Sequence, residues 1–376
     1  MTSSATSGPR PCFLFAGGGT GGHLYPGIAI AEEIRKKQPD AEIVFVGNAK
    51  NIEGRVIPGL GFRFLPIWVG GFKRSFSLST LVSLFKLIVA LVQSFIVIRK
   101  VRPQVVVGTG GYVCGPPLFV AALVGVPTLI QEQNSFPGVT TRLLAPRVSE
   151  VHLSFERTRE YIRRTDRVFV TGNPTRESIG SIDRRIGAER LHVDPGKVTI
   201  LVVGGSQGAR SVNNAFLGIA PDLAAMQVQV VWSCGPDDYE RVITGLRGHG
   251  ISDEQWIRVL RYIEDIEYAY AAADLIVCRA GAITIAEVMR TGLPSVLVPY
   301  PYAAADHQTE NAKAMEEAGA SILVRDADLP VQVLPILRDL VHDPVRMKQM
   351  GGRARSLAAP RATERLAEAV IRLAGG

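Results

Sequence analysis

The sequence predicts an α/β protein made of two Rossmann-like, doubly wound parallel sheets. Three observations carry that reading. Short apolar, β-forming runs alternate with stretches of helical periodicity along the whole chain. Several of those runs end in glycine-rich loops that open directly into a helical pattern. The series then restarts near Val198, so that 376 residues divide into two halves, each long enough to bury its own core.

The first run, residues 12–15, leads into AGGGTGGHLYP at 16–26, and Ile28, Ile30, Ala31 and Ile34 mark the helix that follows. Five of the six residues 17–22 are glycine. Without Cβ atoms their backbone N–H groups can come close to a ligand, and the following helix N-terminus adds partial positive charge at the same place. An anion, most simply a phosphate, is the expected guest. Thr20 and His23 add a hydroxyl and an imidazole, a group that titrates near neutrality. Gly17, Gly19 and Gly22 also stand at G-x-G-x-x-G spacing, but the next strand, 42–46, ends in Gly47-Asn48-Ala49-Lys50, without the acid that would hold a dinucleotide ribose. A nicotinamide or flavin enzyme is disfavoured, and the absence of Gly-Lys-Ser/Thr excludes a Walker loop.

Residues 78–98 form the strongest apolar segment, at the length of about 20 residues that a membrane span needs. Ser79, Ser83, Lys86, Ala90 and Gln93 fall along one stripe, which predicts a helix with a narrow polar face and a wide apolar one. Such a helix either belongs to the core or also lies on a membrane surface; a span is disfavoured. Charge favours the surface. Up to Thr175 there are 20 Lys and Arg against 10 Asp and Glu, and no acid occurs between Glu53 and Glu132, where Lys73, Arg74, Lys86, Arg99 and Lys100 lie. From Arg176 onward there are 22 bases against 25 acids, so only the first half is suited to a large anionic surface. The four cysteines are scattered without metal-site spacing and point to a reducing compartment, and the opening MTSSATSGPRP lacks the apolar core of a signal peptide.

The strand at 104–107 ends in Gly108-Thr109-Gly110-Gly111-Tyr112, and the strand at 128–131 ends in Glu132-Gln133-Asn134. Residues 142–167 are basic and predicted helical in part. The strand at 168–170 runs into Thr171-Gly172-Asn173-Pro174-Thr175, a turn that marks the domain boundary. Beyond it, the strand at 198–203 leads into Gly204-Gly205-Ser206-Gln207-Gly208-Ala209-Arg210. Strands at 228–232, 257–260, 275–278 and 295–299 follow. The third of these opens a helix through Arg279-Ala280-Gly281-Ala282, and the fourth leads into the polar loop 300–311. Leu366, Val370 and Leu373 mark a last amphipathic helix.

Paired Rossmann-like halves with glycine loops, and with neither an Asp-x-Asp metal motif nor a ribose acid, suit a nucleotide-sugar transferase that stabilises its diphosphate leaving group with helix N-termini. The chain closely resembles the MurG family, the UDP-N-acetylglucosamine transferases that convert lipid I to lipid II in bacterial peptidoglycan synthesis. The motifs GGTGGHLYPG, GTGGYVCGP, EQN, GNPTR, VVGGSQGARSVN, CRAGAITIAE and DHQTENA carry the resemblance from about Cys12 to Leu373. It implies the GT-B arrangement of two domains facing a cleft. The acceptor and membrane-associating domain would be 1–175, the UDP-sugar domain 176–358, and the helical stretch 359–376 would return to the first domain. It also implies a hexosyltransferase that inverts the anomeric centre, peripheral on the cytoplasmic face of the inner membrane. Possible partners beyond lipid I and the anionic membrane are the proteins of cell-wall synthesis, cell shape and division, and nucleic acid is not among them. No cofactor is required, and no motif indicates an assisting divalent cation.

Carried over motif by motif, the resemblance puts Ser206 and Gln207 at the donor diphosphate with Arg176 and Asn213 nearby. Ile263 meets the uracil through its backbone, Glu287 accepts the ribose hydroxyls, and Ala282, Ile283 and Thr284 face the phosphates. Gln308 and Asn311 hold the sugar, which Thr20, Gly21, Gly22 and Asn134 reach from the first domain. Gly18, Gly19, Thr20, His23, Gly110, Gly111 and Tyr112 face the acceptor, with His23 either the catalytic base or a donor to the acceptor's pyrophosphate. Three positions depart from the family pattern: Ala280 for serine, Thr109 for methionine and Gln131 for histidine. The plain alternatives are a first-turn acid complementing a helix dipole for Glu287 and a loop cap for Asn134. At the level of the whole chain they are another GT-B transferase with a different acceptor, or a two-domain binding protein without chemistry.

Overall fold

The structure, a computed structural model, describes residues 10–70, 78–163, 166–205, 207–251, 256–303 and 306–375. Lys73, Arg74 and Ser206, singled out above, lie outside the described residues, as do the side chains of Ser79 and Ser83. The chain forms two compact units, one running to Thr175 and taking up Pro360–Gly376, the other Arg176–Ala359.

In the first unit the strands are β1 (Cys12–Ala16), β2 (Glu42–Gly47), β3 (Arg63–Pro66), β4 (Val105–Gly108), β5 (Thr128–Glu132), β6 (Glu150–Leu153) and β7 (Val168–Val170). They make one sheet in the order β3-β2-β1-β4-β5-β6-β7, parallel throughout. The helices are α1 (Gly21–Lys37), α2 (Ile52–Gly59), α3 (Leu78–Val101), α4 (Gly115–Leu123) and α5 (Val139–Leu144). A parallel sheet covered on both faces needs strands apolar on both sides, and β1, CFLFA, is buried at every residue. Alternation then sorts the side chains. Leu14, Val106 and Ile130 pack with Ile98 of α3 and Leu118 of α4, whereas Phe13, Phe15 and Val107 pack with Leu24 and Ile34 of α1.

The stretch 142–167, expected to be partly helical, holds instead the end of α5, strand β6 and a short 3-10 turn at Glu156–Tyr161. Strand β6, EVHL, is wholly buried between β5 and β7, and that tertiary pairing overrides its weak local pattern.

The second unit repeats the plan with α6 (Arg184–Leu191), β8 (Thr199–Val203), α7 (Arg210–Ala225), β9 (Gln229–Ser233), α8 (Tyr239–Gly248), β10 (Ile257–Leu260), α9 (Ile266–Ala272), β11 (Leu275–Cys278), α10 (Ala282–Thr291), β12 (Ser295–Leu297), α11 (His307–Glu317), β13 (Ser321–Leu323), α12 (Leu329–His342) and α13 (Pro344–Ser356). Its sheet is parallel in the order β10-β9-β8-β11-β12-β13. In both sheets the order reverses beside the first strand, between β1 and β4 and between β8 and β11. Crevices for ligands form at the carboxyl ends of such strand pairs.

The last helix, α14 (Ala362–Ala374), belongs to the first unit. Leu366, Ala367 and Val370 are buried with Leu24 and Ile34 of α1, and Arg372 donates to both oxygens of Glu150 at 2.9 and 3.0 Å. Burial would raise the Glu150 pKa, but hydrogen bonds from His152 and Arg372 outweigh it and hold the carboxyl at about 2.

Helix α3 turns only part of its apolar surface toward the core. Its polar stripe faces the protein: Gln93 accepts the Trp68 backbone N–H at 2.6 Å, Lys86 lies over the Trp68 ring at 5.5 Å, and Ala90 is buried. Leu91, Val97 and Ile98 also pack inward, but one apolar strip faces outward. Phe85, Ile88, Val92, Phe95 and Ile96 are between 42% and 59% exposed, at spacings that keep them on one side of the helix. Among the described residues no helix is long and apolar enough to cross a membrane.

Candidate active site

In the first unit the site is built where β1 and β4 end side by side. The loop after β1 enters α1 through Thr20, whose backbone is extended. Its side chain does not cap the helix, and the first turn contains no acid. The first amides of α1 are therefore not occupied by a side-chain carboxylate, and the helix dipole favours an anion there. Thr20 and Gly22 are exposed, and Gly21 and His23 are half-buried.

The loop is held from below by a residue that the sequence reading missed. Glu53 in the first turn of α2 is buried, and its carboxylate accepts from the backbone N–H groups of Gly19 (3.0 Å) and Asn48 (3.1 Å) and from Asn51 Nδ2 (3.2 Å). The acid absent from the end of β2 thus arrives a few residues later and folds back, to order the glycine loop instead of a ribose. Gly18 must be glycine for this, because a Cβ there would lie 2.4 Å from the Glu53 carboxyl carbon. Asn51 Nδ2 also donates to Tyr112 Oη at 3.0 Å, and the Tyr112 ring lies against Gly19. Thr109 Oγ1 donates to the His23 carbonyl at 2.7 Å and ties the β4 loop to α1. Gly18, Gly19, His23, Gly110, Gly111 and Tyr112 are in this way brought into one cluster.

Strand β5 ends at the same edge. Glu132 is buried, and one of its oxygens accepts from Asn134 N (3.1 Å) and Asn134 Nδ2 (3.2 Å), the other from Gly138 N (3.0 Å) and Thr141 Oγ1 (2.6 Å). Gln133 Oε1 meets His23 Nδ1 at 3.0 Å.

In the second unit the loops after β8 and β11 take the corresponding places. Gln207 is exposed on the first, and α7 follows without a side-chain cap. On the second, Ala282, Ile283 and Thr284 form the first turn of α10, again with neither cap nor acid. Arg279, whose importance the sequence reading missed, is half-buried between them, donating to Ser211 Oγ of α7 (2.9 Å), to Asp326 and to the Val298 and Pro299 carbonyls.

Glu287 stands on α10, where its Oε2 accepts from Tyr270 Oη at 2.8 Å. Burial raises its pKa against the opposing pull of Tyr270 and Arg176. Arg176 is paired with Glu267 at 3.4 Å. Gln308 Oε1 accepts the Tyr300 N–H (2.9 Å), and the buried Asn311 donates to the Ala280 carbonyl (3.3 Å). The Ile263 side chain is buried in the turn after β10. Asn213 is completely buried: its amide donates to Cys234 O (2.8 Å) and Asp238 (2.7 Å) and accepts from Trp232 Nε1 (3.0 Å). It braces α7 against β9 beneath the glycine loop, and both its amide hydrogens are used there.

The chain matches the glycosyltransferase family 28 N-terminal domain over residues 13–153 and the family 28 C-terminal domain over residues 199–366. It is 46% identical over 366 residues to a protein of Chlorobium phaeobacteroides named UDP-N-acetylglucosamine–N-acetylmuramyl-(pentapeptide) pyrophosphoryl-undecaprenol N-acetylglucosamine transferase, covering 96% of this chain and 99% of that one. A protein of the same name from Caldanaerobacter subterraneus is 40% identical, with coverage of 92% and 95%. Among solved structures, Acinetobacter baumannii MurG superposes with a TM-score of 0.78 at 28% identity, covering 97% of this chain and all of that one.

Proposed function

This chain belongs to glycosyltransferase family 28, in its MurG branch, and from that premise we propose how its two sites divide the work. The reaction is inverting transfer of N-acetylglucosamine from UDP-N-acetylglucosamine to the 4-hydroxyl of the N-acetylmuramoyl-pentapeptide of lipid I, which makes lipid II for peptidoglycan. One observation supports placing the chemistry in the first unit: His23 stands at the uncapped start of α1, between two glycine loops. The acceptor pyrophosphate takes the α1 N-terminus, and His23 removes the proton of the attacking hydroxyl. A single displacement needs one base and a stabilised diphosphate, so no required cofactor enters the scheme. Turnover of UDP-N-acetylglucosamine with and without lipid I tests the reading. Equal turnover without lipid I, or with an unrelated acceptor, would refute it.

The donor lies on the second unit. The loops after β8 and β11, with Gln207 and the first turn of α10, take the diphosphate, and Glu287 takes the ribose. Tyr270 fixes one Glu287 oxygen and so orients the carboxylate for hydroxyls. Glu287→Ala is expected to weaken UDP binding about tenfold or more. An unchanged affinity in calorimetry would remove Glu287 from the site.

The outward apolar face of α3 supports docking on the cytoplasmic leaflet, where the lipid acceptor resides. Phe85, Ile88, Phe95 and Ile96 enter the acyl boundary, while Arg99, stacked 5.4 Å over the Phe95 ring, and Lys100 meet anionic headgroups. Replacing Lys73, Arg74, Arg99 and Lys100 by serine is expected to weaken binding to anionic vesicles at least tenfold, at about 1 kcal/mol for each charge at the surface. Turnover of a soluble acceptor should stay near the parent value. Sedimentation showing no preference for anionic over neutral vesicles, or no loss with salt, would exclude this docking.

A further inference from the structure

We propose that Gln133 is a positioning residue that holds His23 in the tautomer with Nδ1 protonated and Nε2 free to take a proton. The inference rests on the reading of His23 as the base.

The direction of the Gln133 amide is fixed by its neighbours. Gln133 Nε2 lies 2.8 Å from the Thr109 carbonyl and 3.0 Å from the Gln131 carbonyl, and it also meets Gln131 Oε1. Backbone carbonyls only accept, so the nitrogen must face them; turning the amide over would set oxygen against oxygen at both. Gln133 Oε1 is thereby committed to the other side, where His23 Nδ1 is 3.0 Å away. An amide oxygen has no hydrogen to give. The proton of that bond must sit on Nδ1, and a neutral imidazole with Nδ1–H carries its lone pair on Nε2.

The amide is itself held. The two hydrogens of Gln131 Nε2 are shared among Ser154 Oγ (3.0 Å), Asn173 Oδ1 (3.0 Å) and the more distant Glu132 carbonyl (3.3 Å), which leaves Gln131 Oε1 to accept from Gln133. Asn173 Nδ2 closes the network on the Gln133 carbonyl at 3.0 Å. Its members stand at the ends of β4, β5, β6 and β7, so the rigid edge of the sheet sets the geometry. Gln131 and Gln133 are 0% and 1% exposed, which keeps water from taking the place of either amide. Gln131, which replaces the family's usual histidine, supplies an oxygen acceptor that cannot change charge near neutrality.

A histidine side chain free in water prefers the opposite tautomer, with the proton on Nε2, which would leave that nitrogen of His23 with no lone pair for a substrate hydroxyl. Gln133 reverses that preference.

The test uses the full chain with ¹⁵N-labelled histidine. Two-bond ¹H–¹⁵N spectra of neutral imidazoles report the tautomer, and the His23 signals are identified by their loss in His23→Gln. The unaltered protein is expected to show Nδ1–H at His23, a result that needs no variant to fold. Gln133→Met is expected to shift His23 toward Nε2–H and to lower kcat tenfold or more at constant affinity for UDP-N-acetylglucosamine. Nε2–H in the unaltered protein, or an unchanged Nδ1–H pattern in Gln133→Met, would overturn the assignment. A tautomer shift without loss of kcat would uphold it and refute the base reading, so the two failures are distinct.

Discussion

His23→Ala is expected to lower kcat by roughly 10²–10⁴-fold and to leave donor affinity nearly unchanged. A sugar hydroxyl is a poor nucleophile near neutral pH and gains from losing its proton as it attacks. His23 is half-buried at the start of α1, with Nδ1 engaged by Gln133 and its carbonyl held by Thr109. Its other nitrogen is thus the one free for a substrate proton. The competing role, a charged imidazolium donating to the acceptor pyrophosphate, predicts a different set of constants. A base acts as the neutral imidazole and its loss is read in kcat, whereas a phosphate donor acts as the imidazolium and its loss is read in acceptor affinity. A variant that keeps kcat and only raises the acceptor KM would make His23 a binder.

Much of the fold could be read in advance because its determinants are local. A parallel sheet covered on both faces demands continuous apolar strands, and its ligand loops demand glycine, so β1, β4, β8 and the loops after them stand out in one dimension. Helix α3 was legible as a helix with two faces, and charge favoured a surface contact, but how its polar stripe meets the protein was not legible. That depends on Trp68, which meets Lys86 and Gln93 only through the fold. Glu53 was passed over because the dinucleotide pattern looks for an acid at the strand end. The carboxylate that reaches the loop comes from the next helix, and its ligands are backbone amides, which carry no sequence signature. Gln133 and Asn173 sat inside the quoted motifs EQN and GNPTR, yet their roles come from hydrogen bonds between residues 40 positions apart. Asn213 shows the converse: a motif residue whose amide turns inward to Trp232, Cys234 and Asp238.

Gly110→Ala is expected to lower kcat by about 10²-fold or more without removing any functional group. Gly110 has φ +102°, outside the range that alanine adopts without strain. A Cβ there would lie 2.5 Å from His23 Nδ1 and 3.1 Å from Gln133 Oε1, on the two atoms that share the tautomer-setting hydrogen bond. The new methyl group has two ways out. Either the loop after β4 moves, carrying Thr109 and its bond to α1, or the imidazole swings away from Gln133. Both displace the base by a substantial part of an ångström, and misplacement of about 1 Å costs about 10²-fold in rate. The strained backbone should also cost about 1–3 kcal/mol of stability in the first unit. Gly218→Ala is the control: Gly218 lies in α7 with nothing within 4 Å of its ideal Cβ, so alanine there should be neutral or stabilising by up to about 1 kcal/mol. UDP affinity should be unaltered in both variants. If Gly110→Ala keeps its full kcat, His23 has room to tolerate the methyl group, and the close packing of the two glycine loops around it does not govern the rate.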